Sequence, residues 1–257
     1  MTFSEQIVYA MFKPSKYKEL IKLKQGRFNL FVVVMMLVLG IVTFVIPAGA
    51  TITGFGGFEK LFKNQLATIR YEDGGLKLDT QFRMKVNGLN IVMQTDGDTV
   101  DDGELSKDGV YLAIGSKILS FATTIDGNTS HYQNMDISGL FDENFNCDSL
   151  VKLIPHIYIY MFVVFIFNCI GFFIKYAAMA LLFGLFINTI NKTMNINMTF
   201  GEVFKLCFYG QTLGIIISNF NTALGLLPAT VVSIICVFIS VHMITTSVVF
   251  MNPKNQV

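Results

Sequence analysis

From Phe28 to Ile46 the chain reads FNLFVVVMMLVLGIVTFVI without one charge. About 20 apolar residues cross the roughly 30 Å hydrocarbon core of a bilayer. In that medium the backbone must satisfy its own hydrogen bonds, and a helix does so within one segment. The run is therefore expected to be a membrane span. A cleavable signal peptide is the competing reading, since Ala48-Gly49-Ala50 imitates a small-residue cleavage site. A basic leader of this length before an apolar segment this long favours an uncleaved anchor.

The rest of the chain supports a bilayer as its solvent. It is 53% hydrophobic and 14% charged, whereas a soluble domain carries about 25% charged residues. A net charge of +1 provides no field to attract nucleic acid, and no basic groove is interleaved with stacking aromatics, so nucleic-acid binding is excluded. Charge is unevenly placed: residues 1–27 hold Lys13, Lys16, Lys18, Lys22, Lys24 and Arg27 against Glu5 and Glu19. The positive-inside rule then predicts a cytoplasmic leader over 1–27, a first span over 28–49 and a segment from residue 50 outside. Within the leader, Tyr17, Leu20, Ile21 and Lys24 share a helical stripe with lysines on its flanks. This pattern fits a helix lying under the membrane or a solvated basic stub.

Composition changes after Pro47. Residues 50–153 are acidic and glycine-rich, with β-type runs Ala67 to Tyr71, Leu76 to Val86, Asn90 to Gln94, Val110 to Ile114 and Lys117 to Thr124. Turn signals bound them at Asp73-Gly74-Gly75, Asn87-Gly88, Asp96-Gly97, Asp108-Gly109 and Asp126-Gly127. Such pairs between alternating runs predict hairpins. The segment is expected to be an inserted α+β, mainly antiparallel β, extracytoplasmic domain, with helices near Phe58 to Leu66 and Asn146 to Leu153.

The C-terminal part, 154–257, is expected to be a transmembrane bundle. From Ile154 to Ile190 only Asn168, Lys175 and Asn188 interrupt an apolar run that is long for one span and short for two. One crossing leaves Lys192, Lys205 and Lys254 on the cytoplasmic side with the leader, which the positive-inside rule prefers. Thr199-Phe200-Gly201-Glu202 matches a capping box opening a helix that runs to about Ser218. Asn219 to Leu227 reads as a loop, and Pro228 suits the first turn of a last span ending near Phe250. The fold class is thus a membrane α-helical bundle of four spans, alternatively five, with both termini in the cytoplasm.

Few residues invite a chemical role. Gly210, Gly214 and Ser218 repeat at four-residue spacing, as do Ala180 and Gly184, the stripe that lets membrane helices approach closely. Asn168, Gly171, Lys175 and Ala178 fall on one helical face. Lys175 is a functional candidate if it lies at mid-bilayer and a snorkelling side chain if it lies near the surface. Gln211 and Asn219 are further polar candidates for a path through the spans. His242 in the last span has no acid or second histidine within the spans to complete a relay, so a hydrogen-bonded packing role is expected. His131 and His156 are isolated, and no metal-ligand spacing occurs. The stretch Asp96 to Glu104 fails the EF-hand pattern, because Val100 and Asp101 stand where the fifth-position ligand and the glycine belong. No nucleophile elbow, phosphate loop or dinucleotide fingerprint is present. Cys169, Cys207 and Cys236 lie in apolar runs and only Cys147 in a polar one, so no disulfide within the external domain is expected. Neither catalytic residues nor a cofactor are expected.

The segments IRYEDGGLKLD, LNIVMQTDGD and FKLCFYGQTL, set between a basic leader and a final span, resemble domain-of-unknown-function family 1189. Its members are Gram-positive bacterial membrane proteins, some labelled maltodextrin-utilisation proteins. Gln94 stands before Thr95 where the family pattern leads one to expect aspartate. The resemblance implies a multi-pass protein of the bacterial plasma membrane and a link to carbohydrate uptake, and it carries over no catalytic residue. The expected function is a non-enzymatic accessory or regulatory membrane protein whose outer domain contacts a membrane-protein partner or another copy. The alternative is a small oligomeric transporter or channel.

Overall fold

The computed structural model describes residues 1–252 except Asn87 and Asn195, and leaves the side chains of Asn191, Met194 and Ala223 undescribed. The turn signal at Asn87 and the charge at Lys254 therefore lie partly or wholly outside the described residues. The chain forms two compact units, one of Met1–Val45 with the chain from Val164 onward, the other Ile46–Val163. These divisions fall inside two long helices, four and ten residues from the compositional changes at 49/50 and 153/154.

The first unit opens with α1 (Phe3–Phe12), capped by Thr2 and Glu5 in a reciprocal box, then a 3₁₀ turn (Pro14–Lys16) and α2 (Tyr17–Ile21). Next come α3 (Gln25–Gly40) and a π-helical turn (Ile41–Val45), which leads into α4 (Ile46–Gly54) of the second unit. The anchor predicted over 28–49 is thus part of a helix reaching from Gln25 to Gly54. Pro47 does not end it. Its ring lacks an N–H and crowds the carbonyl four residues back, and the wider π turn immediately before it absorbs that conflict.

The residues from Cys147 to Met194 form one unbroken helix, α6, whose later part belongs to the first unit. The helix expected near 146–153 is its first turns, and the five-span alternative has no turn in the described backbone to reverse the chain. A helix of 48 residues is about 72 Å long at 1.5 Å per residue, more than twice the hydrocarbon thickness.

The capping box at Thr199 and Glu202 opens α7 (Phe200–Gly210), but the helix expected to reach Ser218 breaks at Gln211. α8 (Thr212–Leu224) follows, meeting α7 at 41° and extending into the predicted loop until Gly225 closes it with φ +63°. Pro228 sits at the N-cap of α9 (Ala229–Met251), one position before the helix. Among the described residues, three helices are long and apolar enough to cross a membrane, or four if the bent pair α7–α8 counts as one span.

Phe28, Phe31 and Leu39 of α3 pack with Leu206, Phe208 and Tyr209 of α7 and Ile244 and Val248 of α9, forming the core of the first unit. Phe28 meets the rings of Phe208 and Tyr209 edge-on at 5.6 Å. The leader contributes to this core: Tyr17 and Leu20 are fully buried and Ile21 nearly so, while Lys24 is exposed. Neither the interfacial helix nor the solvated stub describes α2. Helical periodicity identified an apolar face, but protein covers it.

The second unit holds α5 (Phe58–Gln65), a hairpin of β1 (Arg70–Glu72) and β2 (Gly75–Lys77), and a five-stranded sheet in sequential order. The sheet comprises β3 (Phe82–Val86), β4 (Leu89–Met93), β5 (Gly109–Ile114), β6 (Ile118–Ile125) and β7 (Asn128–Asp136). The run Leu76 to Val86 is two strands. β7 has no counterpart among the predicted strands, because NTSHYQNMD lacks apolar alternation. Asp73-Gly74 and Asp126-Gly127 adopt positive φ in two-residue hairpin turns, as their sequence signalled. Asp96-Gly97 and Asp108-Gly109 instead flank a crossover with a 3₁₀ turn (Asp102–Leu105), which makes β4 and β5 parallel, so the sheet is mixed.

Leu105 on this crossover is fully buried and accepts the Thr124 hydroxyl, covering one sheet face with Val92, Tyr111 and Ala122. Part of the other face packs with Leu61 and Phe62 of α5 through Phe82 and Met93.

Candidate functional site

Within the first unit, two polar side chains, from the α7–α8 break and from α8, converge on Tyr176 of α6. Gln211, at the α7–α8 break, donates its amide to the Tyr176 carbonyl at 2.9 Å, and Asn219 of α8 donates to the Tyr176 hydroxyl at 2.6 Å. Asn219 also donates to the Ile215 carbonyl at 2.7 Å. Both amides are buried. In an apolar bundle such groups must find protein partners, since leaving one unmade costs several kcal/mol.

Beside this cluster lies a cavity of about 240 Å³ lined by Lys175, Gln211, Gly214, Ser218, Ser233 and Ser240, among others. The Lys175 ammonium lies 5.3 Å from the Tyr176 ring centroid, within cation–π reach. Ser240 donates to the Cys236 carbonyl within its own helix. The cavity holds one cation, several hydroxyls and an amide. No carboxylate, histidine or base-activated nucleophile lines it.

The structure thus brings together Lys175, Gln211, Gly214 and Ser218, with Asn219 joined through Tyr176. Asn168 is half-buried elsewhere on α6, and His242 is exposed on α9. Lys175, Gly171 and Ala178 are exposed on the same stripe of α6. Gly210 and Gly214 face α9 closely. A Cβ at Gly214 would lie 2.9 Å from the Cys236 carbonyl oxygen and the Ser240 hydroxyl, and one at Gly210 would run into Ile244. Gly184 is looser, 3.5 Å from Val203, while Gly40, which the sequence did not single out, would meet the Cys169 sulfur at 2.6 Å.

A second buried network was also illegible in the sequence. Gln6 of α1 donates to the Tyr209 hydroxyl at 2.8 Å, and Tyr17 donates to the Ala10 carbonyl at 2.6 Å. Burial pushes the Tyr17 hydroxyl well above the usual tyrosine range, so it stays a proton donor.

In the second unit the feature of interest is the outer end of the sheet. β7 pairs with β6 and has no described strand on its other side. Val110, Phe121, Ile125 and Met135 share one face by register and are 47%, 43%, 62% and 43% exposed. Tyr132, at the bulge opposite Phe121/Ala122, is 72% exposed. The acidic stretch makes structural contacts: Asp101 caps the 3₁₀ turn, Glu104 pairs with Arg83, and Asp102 lies 2.8 Å from His131. No cluster of three or more metal-ligand side chains exists among the described residues.

Membrane-length apolar helices carrying an inserted mixed-sheet unit define the class of protein. The chain belongs to the DUF1189 family of proteins of unknown function, whose model matches residues 5–250. Neither the curated proteins nor the solved structures include a match to it.

Proposed function

We propose that this is a non-enzymatic accessory membrane protein of the bacterial plasma membrane, with its N-terminus cytoplasmic and residues 50–153 outside. The outer sheet contacts a membrane-protein partner or a second copy. The observation that carries the reading is β7: a nine-residue strand open along one edge, beside exposed Phe121, Ile125 and Tyr132. Open edges invite strand pairing, and exposed apolar side chains on the same sheet add side-chain burial to it. A link to carbohydrate uptake is suggested only by the resemblance to proteins labelled for maltodextrin use. A photo-crosslinking residue at Tyr132 in the native membrane should capture one recurrent membrane partner at near-equal stoichiometry. The double variant Phe121→Asp, Ile125→Asp should lose it. A protein that remains monomeric and uncrosslinked in native membranes would overturn the proposal.

The cavity beside Lys175 favours a second reading, a small oligomeric transporter or channel. Vesicles carrying the protein at any density without flux of ions or small solutes would eliminate it.

A further inference from the structure

The leader joins the core through α2 and the inner face of α1, leaving the outer face of α1 and its basic flanks on the surface. Gln6 and Ala10 face inward on α1, while Val8 and Phe12 point away from the protein, 44% and 62% exposed, with Met11 half-exposed beside them. These three share one helical stripe at spacings of three and four residues. Immediately after Phe12 come Lys13, Lys16, Lys18, Lys22, Lys24 and Arg27. With Glu5 and Glu19 as the only acids, residues 1–27 carry a net +4. Lys16 is 2.7 Å from Glu19, whereas Lys13, Lys18, Lys22 and Lys24 are exposed.

The position of α1 gives this arrangement meaning. Arg27 donates to the Met1 carbonyl at 2.6 Å, and Phe3 packs on Phe31 at 6.3 Å between ring centroids. α1 therefore begins beside the first two turns of α3, where the charged leader gives way to the apolar run. An apolar stripe ending in an aromatic, bordered by lysines at that level, matches the chemistry of an anionic bilayer surface. The stripe enters the acyl boundary and each lysine gains attraction to headgroup phosphates.

We infer that α1 and the basic segment after it form a binding surface for anionic phospholipid in the leaflet nearest the N-terminus, with Phe12 inserted among the acyl chains. The full chain contains no tryptophan, so Phe12→Trp supplies a single reporter on an exposed side chain. In nanodiscs of phosphatidylglycerol its emission should shift to the blue and be quenched by lipids brominated near the headgroup. In phosphatidylcholine both effects should be much weaker. Replacing Lys13, Lys18, Lys22 and Lys24 with Gln, or raising the salt around the unaltered lysines, should reduce the phosphatidylglycerol response to the phosphatidylcholine one. Inorganic phosphate added to phosphatidylcholine discs at matched ionic strength should not reproduce it. Water-like emission in both lipids, equal quenching in both, or a full response to free phosphate would overturn the proposal. Failure to enter discs of either lipid would overturn it together with the membrane reading on which it rests.

Discussion

At Gly210 one missing carbon sets how closely α7 approaches α9. Gly210→Ala should drive a methyl into Ile244 and cost about 1–3 kcal/mol, the usual scale of overpacking, with part recovered by Ile244→Val. Reversible unfolding in mixed micelles measures this, and an unchanged midpoint would refute the close contact. Tyr176 calls for a different test. Removing its hydroxyl with Tyr176→Phe should cost about 0.6 kcal/mol, the mean for interhelical bonds in membranes, with about 1.7 as the upper end. A double-mutant cycle with Asn219→Ala should show coupling of that size, and zero coupling would remove the bond from the account. The glycine was legible from its four-residue spacing. The tyrosine was not, because nothing local reveals that helices distant in sequence direct amides toward it.

At the scale of elements, caps and turns were the most readable features, since each is determined within about four residues. Thr199 accepts the Glu202 amide and Glu202 accepts the Thr199 amide, so Thr199→Ala should destabilise α7 by about 0.5–2 kcal/mol. Faster amide exchange over the first turn of α7 would report it. β7 ends in a turn in which Ser138 donates its hydroxyl and its amide to Asp136, holding that carboxyl below the usual carboxylate range. Because the folded value is depressed, the stabilisation is complete above the ordinary value near 3.8 and is lost as pH falls through the folded one. Protection of the Ser138 amide, its exchange corrected for the intrinsic rate at each pH, should therefore fall on acidification below that value, and the step should vanish in Asp136→Asn. A step that survives the substitution would assign it to another group. The turn Asp126-Gly127 pointed to a strand on each side, yet polar NTSHYQNMD has no signature of its own. Pairing with β6 alone makes it a strand.

For the whole molecule the decisive measurement is topology. Six basic residues precede Phe28, and about one hundred polar-rich residues follow Pro47. Cysteines placed at Asn128 and Ser15 should respectively react with an impermeant thiol reagent on intact cells and remain protected until the membrane is opened. With α6 unbroken, Thr193→Cys should be protected like Ser15→Cys. Labelling at Thr193 in intact cells would reverse the assignment of sides after α6 and the four-span proposal with it.

The sequence by itself determined the apolar runs, the caps at Thr199 and the Asp-Gly turns, because solvent demand and backbone preference act over short stretches of chain. It marked Tyr17, Leu20 and Ile21 as one face but could not say whether lipid, water or protein would cover it. Only the tertiary structure decided that they are buried in one core with Tyr209, that β4 and β5 run parallel across the crossover, and that Gln211 and Asn219 meet at Tyr176. These outcomes depend on which distant surfaces fit one another, and packing energy of that kind belongs to pairs of elements rather than to any one of them.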